Sequence, residues 1–166
     1  CVEAVNKVTP GLIRTEADEL SYSLHVLIRY EIEKMLIEED LDVEKLPQLW
    51  ADKYEEYLGV RPENPAEGVL QDIHWSQGSF GYFPSYALGS AFGAQLYYHM
   101  KEIMDFDGLL REGKVDVIRD YLREHIHQYG KLKDSRQILK DVTGEDFKPE
   151  YYVRYLKEKY SAVYGL

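Results

Sequence analysis

The sequence is poor in cysteine, in long apolar runs and in positive charge. Its one cysteine, Cys1, excludes an internal disulfide and a cluster of thiolate metal ligands, and it fits a reducing compartment. No apolar run approaches the roughly 20 residues that span a bilayer. The net charge of −10 argues against nucleic-acid binding, because phosphate contacts need a basic face. We therefore predict a cytoplasmic protein without nucleic-acid or membrane partners.

Strand patterns are absent as well, and the periodicity of the apolar residues predicts an all-α fold. The first long helix has apolar residues at positions 20, 24, 27, 28, 32, 35 and 36, which follow a helical period for about five turns. Thr15 is the predicted cap of this helix, with acidic residues in the first turn. Further helices are predicted at residues 46–58, 86–104, 115–130, 135–142 and from 149 onwards. A length of 166 residues suits a single helical region.

Residues 68–89, GVLQDIHWSQGSFGYFPSYALG, carry polar and aromatic side chains between four glycines. This composition is typical of a loop that presents side chains to a ligand. His74 exchanges protons near neutral pH, and Asp72 either holds its ring or caps the next turn. Tyr82 and Tyr86 are four residues apart, so in a helix their hydroxyls would face one cavity. The alternative is a structural histidine among tyrosines that are abundant anyway, 15 of 166 residues.

Arg14 precedes the first long helix, where the positive end of the helix dipole disfavours a guanidinium unless an anion is near. Two interpretations remain open from the sequence. Arg14 either forms a local salt bridge with Glu16 or Asp18, or it is ready to bind a carboxylate, for which its forked donors are well suited.

Four stretches of the chain together resemble one protein family. Residues 68–75, GVLQDIHW, fit the pattern G-x-x-Q-D-x-H-W, and residues 13–18, IRTEAD, fit I/V-R-x-x-A-D. Residues 27–34, LIRYEIEK, and 81–89, GYFPSYALG, are similar too, and all four occur in the same order. On these motifs the chain resembles the thermostable metallocarboxypeptidases typified by carboxypeptidase Taq, over nearly its whole length.

The resemblance implies an all-helical, zincin-like peptidase with a substrate groove, which removes single residues from peptide C-termini with broad specificity. It also implies a zinc or cobalt ion and, in many members, a homodimer. Arg14 is then expected to bind the terminal carboxylate of the peptide. His74 and one of the two tyrosines, Tyr82 or Tyr86, are expected to donate hydrogen bonds to the oxyanion or to substrate carbonyls.

Four further residues have expected roles beside these. Gln71 is assigned to substrate binding and to the support of the His74 loop, and Asp72 and Trp75 to support of the same loop. Asp18 is expected to support Arg14 in the same way.

The family's H-E-x-x-H zinc motif does not occur in the sequence. We therefore predict no metal ligands in this chain and interpret it as the C-terminal third of a longer enzyme, inactive by itself. One alternative is a helical protein-interaction module that uses the tyrosine-rich residues 151–164. Another is a small metalloprotein with His25, His74 and His99 as ligands, which is disfavoured because no pair of them has ligand spacing.

Overall fold

A computed structural model describes residues 2–39 and 41–166, and within these residues it contains helices and no strand. The all-α prediction is therefore confirmed. The described residues form eight α-helices: α1 (Val2–Val5), α2 (Glu19–Glu38), α3 (Leu46–Leu58), α4 (Pro84–Ile103), α5 (Phe106–Arg111), α6 (Val115–His125), α7 (Ser135–Thr143) and α8 (Glu150–Tyr164). No helix among them is long and apolar enough to cross a membrane.

The chain divides into two compact units. The first comprises the residues up to Leu88 together with Ser161–Leu166, and the second comprises Gly89–Tyr160. All the site residues predicted from the sequence fall in the first unit.

Helix α2 begins three residues later than a Thr15 cap would place it. Residues Arg14–Glu16 form a short 3₁₀ turn, and Asp18 caps α2 by accepting a hydrogen bond from the Ser21 amide at 2.9 Å. The carboxylate of Asp18 also accepts from the Thr9 amide at 3.0 Å. Asp18 is therefore the N-cap because it satisfies free amides on both sides of the turn.

Helix α3 packs against α2 and forms the core of the first unit. The buried members of this core are Ile28, Ile32, Trp50, Tyr54, Leu58 and Val69. Gly59 ends α3 in the left-handed conformation with a φ of 68°, which a residue without Cβ adopts at little cost.

The second unit contains helices whose ends differ in part from the predicted ones. Helix α5 was not predicted, because its six residues are too few to show a period. Helix α6 ends at His125 instead of continuing to residue 130, since Ile126 leaves helical geometry with φ −128° and ψ −63°. A 3₁₀ turn, His127–Tyr129, follows it. Helix α7 ends at Thr143, one residue beyond the predicted end, and Gly144 is its C-cap.

Candidate functional site

Three segments of the first unit meet at the predicted site. They are the 3₁₀ turn before α2, the loop of residues 72–82 and the first turn of α4. Helix α2 and Tyr54 of α3 lie on the core side of these three segments. The motifs that were separate in the sequence therefore form one cluster of side chains.

Arg14 is 7% exposed and lies in the middle of this cluster. Its guanidinium donates to the Asp72 carboxylate and to the Tyr22 hydroxyl, both at 3.1 Å, and lies over the Tyr86 ring at 4.9 Å. Arg14 thus pairs with Asp72, and the local salt bridge with Glu16 or Asp18, one of the two interpretations left open by the sequence, is not formed. The two residues of the pair are 58 positions apart, so local spacing could not reveal it.

Asp72 joins two arginines. One oxygen of its carboxylate accepts from Arg14 and the other accepts from Nε of Arg29. Burial alone would raise the pKa of Asp72, but the charges and hydrogen bonds of Arg29 and Arg14 outweigh burial and hold this pKa below its ordinary value. Two guanidinium groups share one carboxylate, and the three side chains together carry one net positive charge.

Arg29 is fully buried and was not among the predicted site residues. It donates to the backbone oxygen of His25 and to the hydroxyl of Tyr54, both at 2.9 Å, and stacks on Trp50 at 4.6 Å. Such a buried cation is retained only where several acceptors compensate its desolvation. Arg29 therefore fixes the Asp72 carboxylate to the core.

His74 lies beside Tyr86 and the buried ring of Phe83. Its Nε2 is 3.3 Å from the Tyr86 hydroxyl, and its ring centre is 4.4 Å from that of Phe83. Its Nδ1 is 3.7 Å from Asp72, longer than a hydrogen bond, so Asp72 holds arginines and not the histidine ring. This Nδ1 is buried and has no hydrogen-bond partner among the described residues.

The two tyrosines of the site have different surroundings. Tyr86 contacts both His74 and Arg14, whereas Tyr82 is 52% exposed and stacks beside the His74 ring at 5.9 Å. The two tyrosine rings meet edge to face at 5.4 Å. Helix α4 begins at Pro84, so Tyr82 lies outside the helix and the contact of the two rings does not come from helical spacing.

The other predicted residues lie around this cluster. Trp75 packs edge to face on Trp50 and Phe83, at 6.0 Å from each, and anchors the loop in the core. The Gln71 amide donates to the backbone oxygen of Glu67, while its own oxygen is buried without a partner among the described residues. The hydrogen bonds of Asp18 go to Thr9 and Ser21, whereas those of Arg14 go to Asp72 and Tyr22, so the predicted support of Arg14 by Asp18 is indirect.

Sequence reasoning also missed Glu33, which is 6% exposed on α2. His25, Arg29 and Glu33 are spaced by four residues and form a polar stripe that runs beside the apolar stripe of the same helix. The sequence did contain a signal for these residues, namely charged side chains at the spacing of core positions. Charged residues are almost never fully buried unless they are paired, so this spacing indicates buried partners.

The described residues do not fit a metal ion. Residues 2–39 and 41–166 contain no group of three or more His, Cys, Asp or Glu side chains that could hold one. The Nδ1 of His25 lies 3.0 Å from the Tyr54 hydroxyl in the core, and among the described residues His25 belongs to no group of three possible metal ligands. The site described here is therefore a cluster of hydrogen-bond donors with a net positive charge, which is suited to bind a carboxylate.

The model of one protein family matches the chain over residues 1–160, and its description is carboxypeptidase Taq (M32) metallopeptidase. Carboxypeptidase 1 of Bacillus subtilis is 50% identical over 166 residues, which are 99% of this chain and 33% of that protein. Thermostable carboxypeptidase 1 of Pyrococcus furiosus is 46% identical over 93% of this chain and 31% of its own length.

The fold is similar to that of solved structures as well. The M32 carboxypeptidase of Deinococcus radiodurans superposes with a TM-score of 0.93 at 33% identity, over 98% of this chain and 33% of that one. The chain thus spans about a third of the length of the curated relatives that it matches.

Proposed function

Because the chain belongs to the carboxypeptidase Taq (M32) metallopeptidase family, we propose that it is the substrate-binding part of a metal-dependent carboxypeptidase. The complete enzyme removes single residues from the C-termini of peptides with broad specificity. The two curated relatives named above are carboxypeptidases, and the chain matches about a third of each. In this proposal, the groups that the reaction needs and that this chain does not supply are carried by the rest of the complete polypeptide.

The observation that carries this proposal is the position of Arg14, which pairs with the Asp72 carboxylate and lies over the Tyr86 ring, while the Tyr86 hydroxyl is 3.3 Å from His74. A free C-terminus differs from an internal peptide group by its negative charge. Arg14, Arg29 and Asp72 together carry one net positive charge, and a buried group with this charge is the kind of site that selects this difference. The Nε of Arg14 also has no hydrogen-bond partner among the described residues, so one donor of the guanidinium is still available.

In this proposal Arg14 binds the terminal carboxylate and Asp72 holds the guanidinium in position. Asp72 is itself fixed by Arg29 through its second carboxylate oxygen, so the group that positions Arg14 is anchored in the core. Gln71 lies beside Asp72 on the same loop and contributes its unpaired oxygen to the substrate backbone.

His74 and Tyr86 stabilise negative charge on the carbonyl oxygen during hydrolysis, and Tyr82 borders the same space. A hydrogen bond directed at such an oxyanion is typically worth about 3 to 4 kcal/mol. Tyr86 is the stronger candidate donor of the two tyrosines, because its hydroxyl is 3.3 Å from His74.

Family membership implies a metal cofactor. We propose that zinc or cobalt is bound elsewhere in the complete polypeptide, since the described residues of this chain do not fit a metal. We also propose a cytoplasmic homodimer that binds neither nucleic acid nor membranes. The acidic net charge of −10 supports the absence of nucleic-acid binding, and the single cysteine fits a reducing compartment. The homodimer is what the family resemblance implies.

The surroundings of the loop favour an enzyme part over a separate interaction module. Four large apolar or aromatic side chains near the site are exposed, each by 45% or more: Leu70, Ile73, Phe80 and Tyr82. A self-contained module is expected to cover such side chains, whereas one wall of a cleft leaves them open.

The test uses the complete native polypeptide, its intact mass and its metal content, followed by hydrolysis of an N-blocked dipeptide and of the same dipeptide with an amidated C-terminus. We expect a species of about three times the chain's length, because the chain covers 33% of a curated relative. Arg14→Ala should lower kcat/KM for the free acid by about 10- to 100-fold, as expected for a lost charged hydrogen bond. The amidated substrate should be much less affected.

Arg61→Ala is the matched control, since Arg61 forms exposed ion pairs with Asp52 and Glu55 on α3. Its kinetics should equal those of the wild type. A native species of 166 residues without metal or peptidase activity would refute the proposal and leave the helical interaction module as the better account.

A further inference from the structure

We propose that Glu33 is a positioning residue, whose carboxylate sets the placement of Tyr82 relative to His74. This inference rests on the proposed function for its catalytic meaning. Its structural part concerns the loop of residues 72–82 alone and can be tested without any enzyme activity.

Glu33 binds two points of this loop at once. Its Oε2 accepts from the indole nitrogen of Trp75 at 3.2 Å, and its Oε1 accepts from the backbone amide of Gly81. Trp75 follows His74 in the chain and Gly81 precedes Tyr82. One buried carboxylate, carried by a long and well-packed helix, therefore fixes the neighbours of both site residues.

The loop needs such an attachment because its own backbone can adopt several conformations. Its internal hydrogen bonds are those of short turns, such as Ser79 amide to His74 oxygen at 2.8 Å. Gly78 and Gly81 have φ values of 73° and 75°, in a region that glycine enters freely. Helix α2 lies more than 40 residues away in sequence, so Glu33 supplies a long-range constraint that the turns lack.

The Glu33 attachment should affect some residues of the site and leave others unchanged. The His74 and Tyr82 rings are stacked 5.9 Å apart, and this arrangement depends on the position of Gly81. Arg14 is held separately, by Asp72 and Tyr22. Loss of the Glu33 attachment should therefore disturb the groups that act on the oxyanion while the carboxylate-binding arginine stays in place.

The chemistry of a carboxylate is required because both partners are N–H donors. Glutamine has the same shape, but it offers one acceptor oxygen and one NH₂ donor. In Glu33→Gln, the NH₂ group must face either the Trp75 indole or the Gly81 amide. One of the two attachments is lost, and a buried donor is left unpaired.

The first experiment is hydrogen–deuterium exchange of the complete polypeptide, resolved at the Gly81 amide. The Trp75 indole N–H is followed in the same samples. In Glu33→Gln the N–H that faces the introduced NH₂ group, either the Gly81 amide or the Trp75 indole, should exchange about 10- to 100-fold faster than in the wild type, as expected for the loss of a hydrogen bond to a charged group. Glu38→Gln is the matched control, because Glu38 lies on the same helix in an exposed pair with Lys34. Exchange rates that are unchanged at both the Gly81 amide and the Trp75 indole in Glu33→Gln would overturn the proposal.

The second experiment is a kinetic comparison with the free-acid dipeptide, at a temperature where all variants are folded. We expect kcat to fall about tenfold or more in Glu33→Gln, with KM within about threefold of the wild type. Trp75→Phe, which removes one donor and keeps an aromatic ring, should change kcat in the same direction by less. A normal kcat in folded Glu33→Gln, or a change confined to KM, would also overturn the proposal.

The two experiments separate this inference from the proposed function. If the wild-type polypeptide has no carboxypeptidase activity, the proposed function fails, while the exchange at the Gly81 amide and the Trp75 indole still decides whether Glu33 positions the loop. Faster exchange throughout the protein, instead of an increase confined to residues 75–82, would show general destabilisation and would count against a positioning role.

Discussion

Arg14 and Asp72 form an ion pair of 3.1 Å between two segments 58 residues apart in sequence. This pair places the arginine of the IRTEAD motif directly on the loop that carries His74. The second oxygen of Asp72 binds Arg29, so the pair is also connected to the core. Asp72 therefore connects the proposed carboxylate-binding arginine to the core of the first unit.

Asp72→Asn should strongly destabilise the protein. The substitution leaves two buried guanidinium groups without their shared anion, and breaking a buried pair by removing one partner costs about 3 to 5 kcal/mol. Because Asn keeps one acceptor oxygen, we expect the lower end of this range. The free energy of unfolding from urea denaturation measures the change.

The control for this substitution is Asp120→Asn, because Asp120 pairs with Arg119 on the exposed surface of α6. An exposed pair of this kind is worth about 0 to 1 kcal/mol, so its unfolding midpoint should hardly move. If Asp72→Asn were equally neutral, the two arginines would not depend on this carboxylate.

The stability of the protein should decrease between pH 6.5 and pH 4 because of His25. Burial, with the charges of Arg29 and Arg14, lowers the pKa of His25 from 6.5 to about 4. The unfolded chain therefore binds the proton more readily than the folded chain does. The contribution is complete above pH 6.5, amounts to as much as about 3 kcal/mol, and is lost as the pH falls towards 4.

Urea denaturation at several pH values tests this effect, with His25→Gln as the comparison. The variant should lose the pH dependence between 6.5 and 4, since glutamine does not titrate. Asp72 acts at lower pH, because its pKa in the folded state is below 3.8, and its contribution should disappear only as the pH falls below about 4. Equal slopes for wild type and His25→Gln between pH 4 and 6.5 would exclude His25 as the cause.

Most of the helices could be predicted from the sequence because their apolar faces repeat regularly. The start of α2 could not, since Thr15 and Asp18 are both good caps and tertiary contacts of the preceding turn decide between them. Asp18 is the cap because it also binds the Thr9 amide. The six residues of α5 carry too little periodicity to be recognised.

The sequence motifs pointed to residues of the candidate site but not to the contacts between them. The motifs identified Arg14, His74 and Tyr86, which the structure brings into contact. The links to Arg29 and Glu33 are pairings across more than 40 residues, and no local rule specifies them. To hold the His74 ring was one of two roles predicted for Asp72, the other being to cap the next turn, yet two guanidinium groups bind its oxygens at shorter distance.

Two glycine substitutions should have opposite effects on stability. Gly59→Ala forces a Cβ into the left-handed conformation at the end of α3, with a φ of 68°, and should cost about 1 kcal/mol. Gly93→Ala, inside α4 at an exposed position, should stabilise by about 0.5 to 1 kcal/mol. An added Cβ meets no atom within 4 Å at either position, so thermal unfolding compares backbone conformation alone.

Tyr86→Phe should reduce catalysis more than Tyr82→Phe does. The Tyr86 hydroxyl is 3.3 Å from His74, whereas Tyr82 is 52% exposed and touches the histidine through its ring. Phenylalanine keeps the ring under Arg14 in the first variant, so only the hydroxyl is removed. We expect kcat to fall about 100-fold in Tyr86→Phe, as for the loss of an oxyanion donor, and less than tenfold in Tyr82→Phe. The opposite order in steady-state kinetics would assign the donor role to Tyr82, because both variants lose the same chemical group and differ only in where it lies.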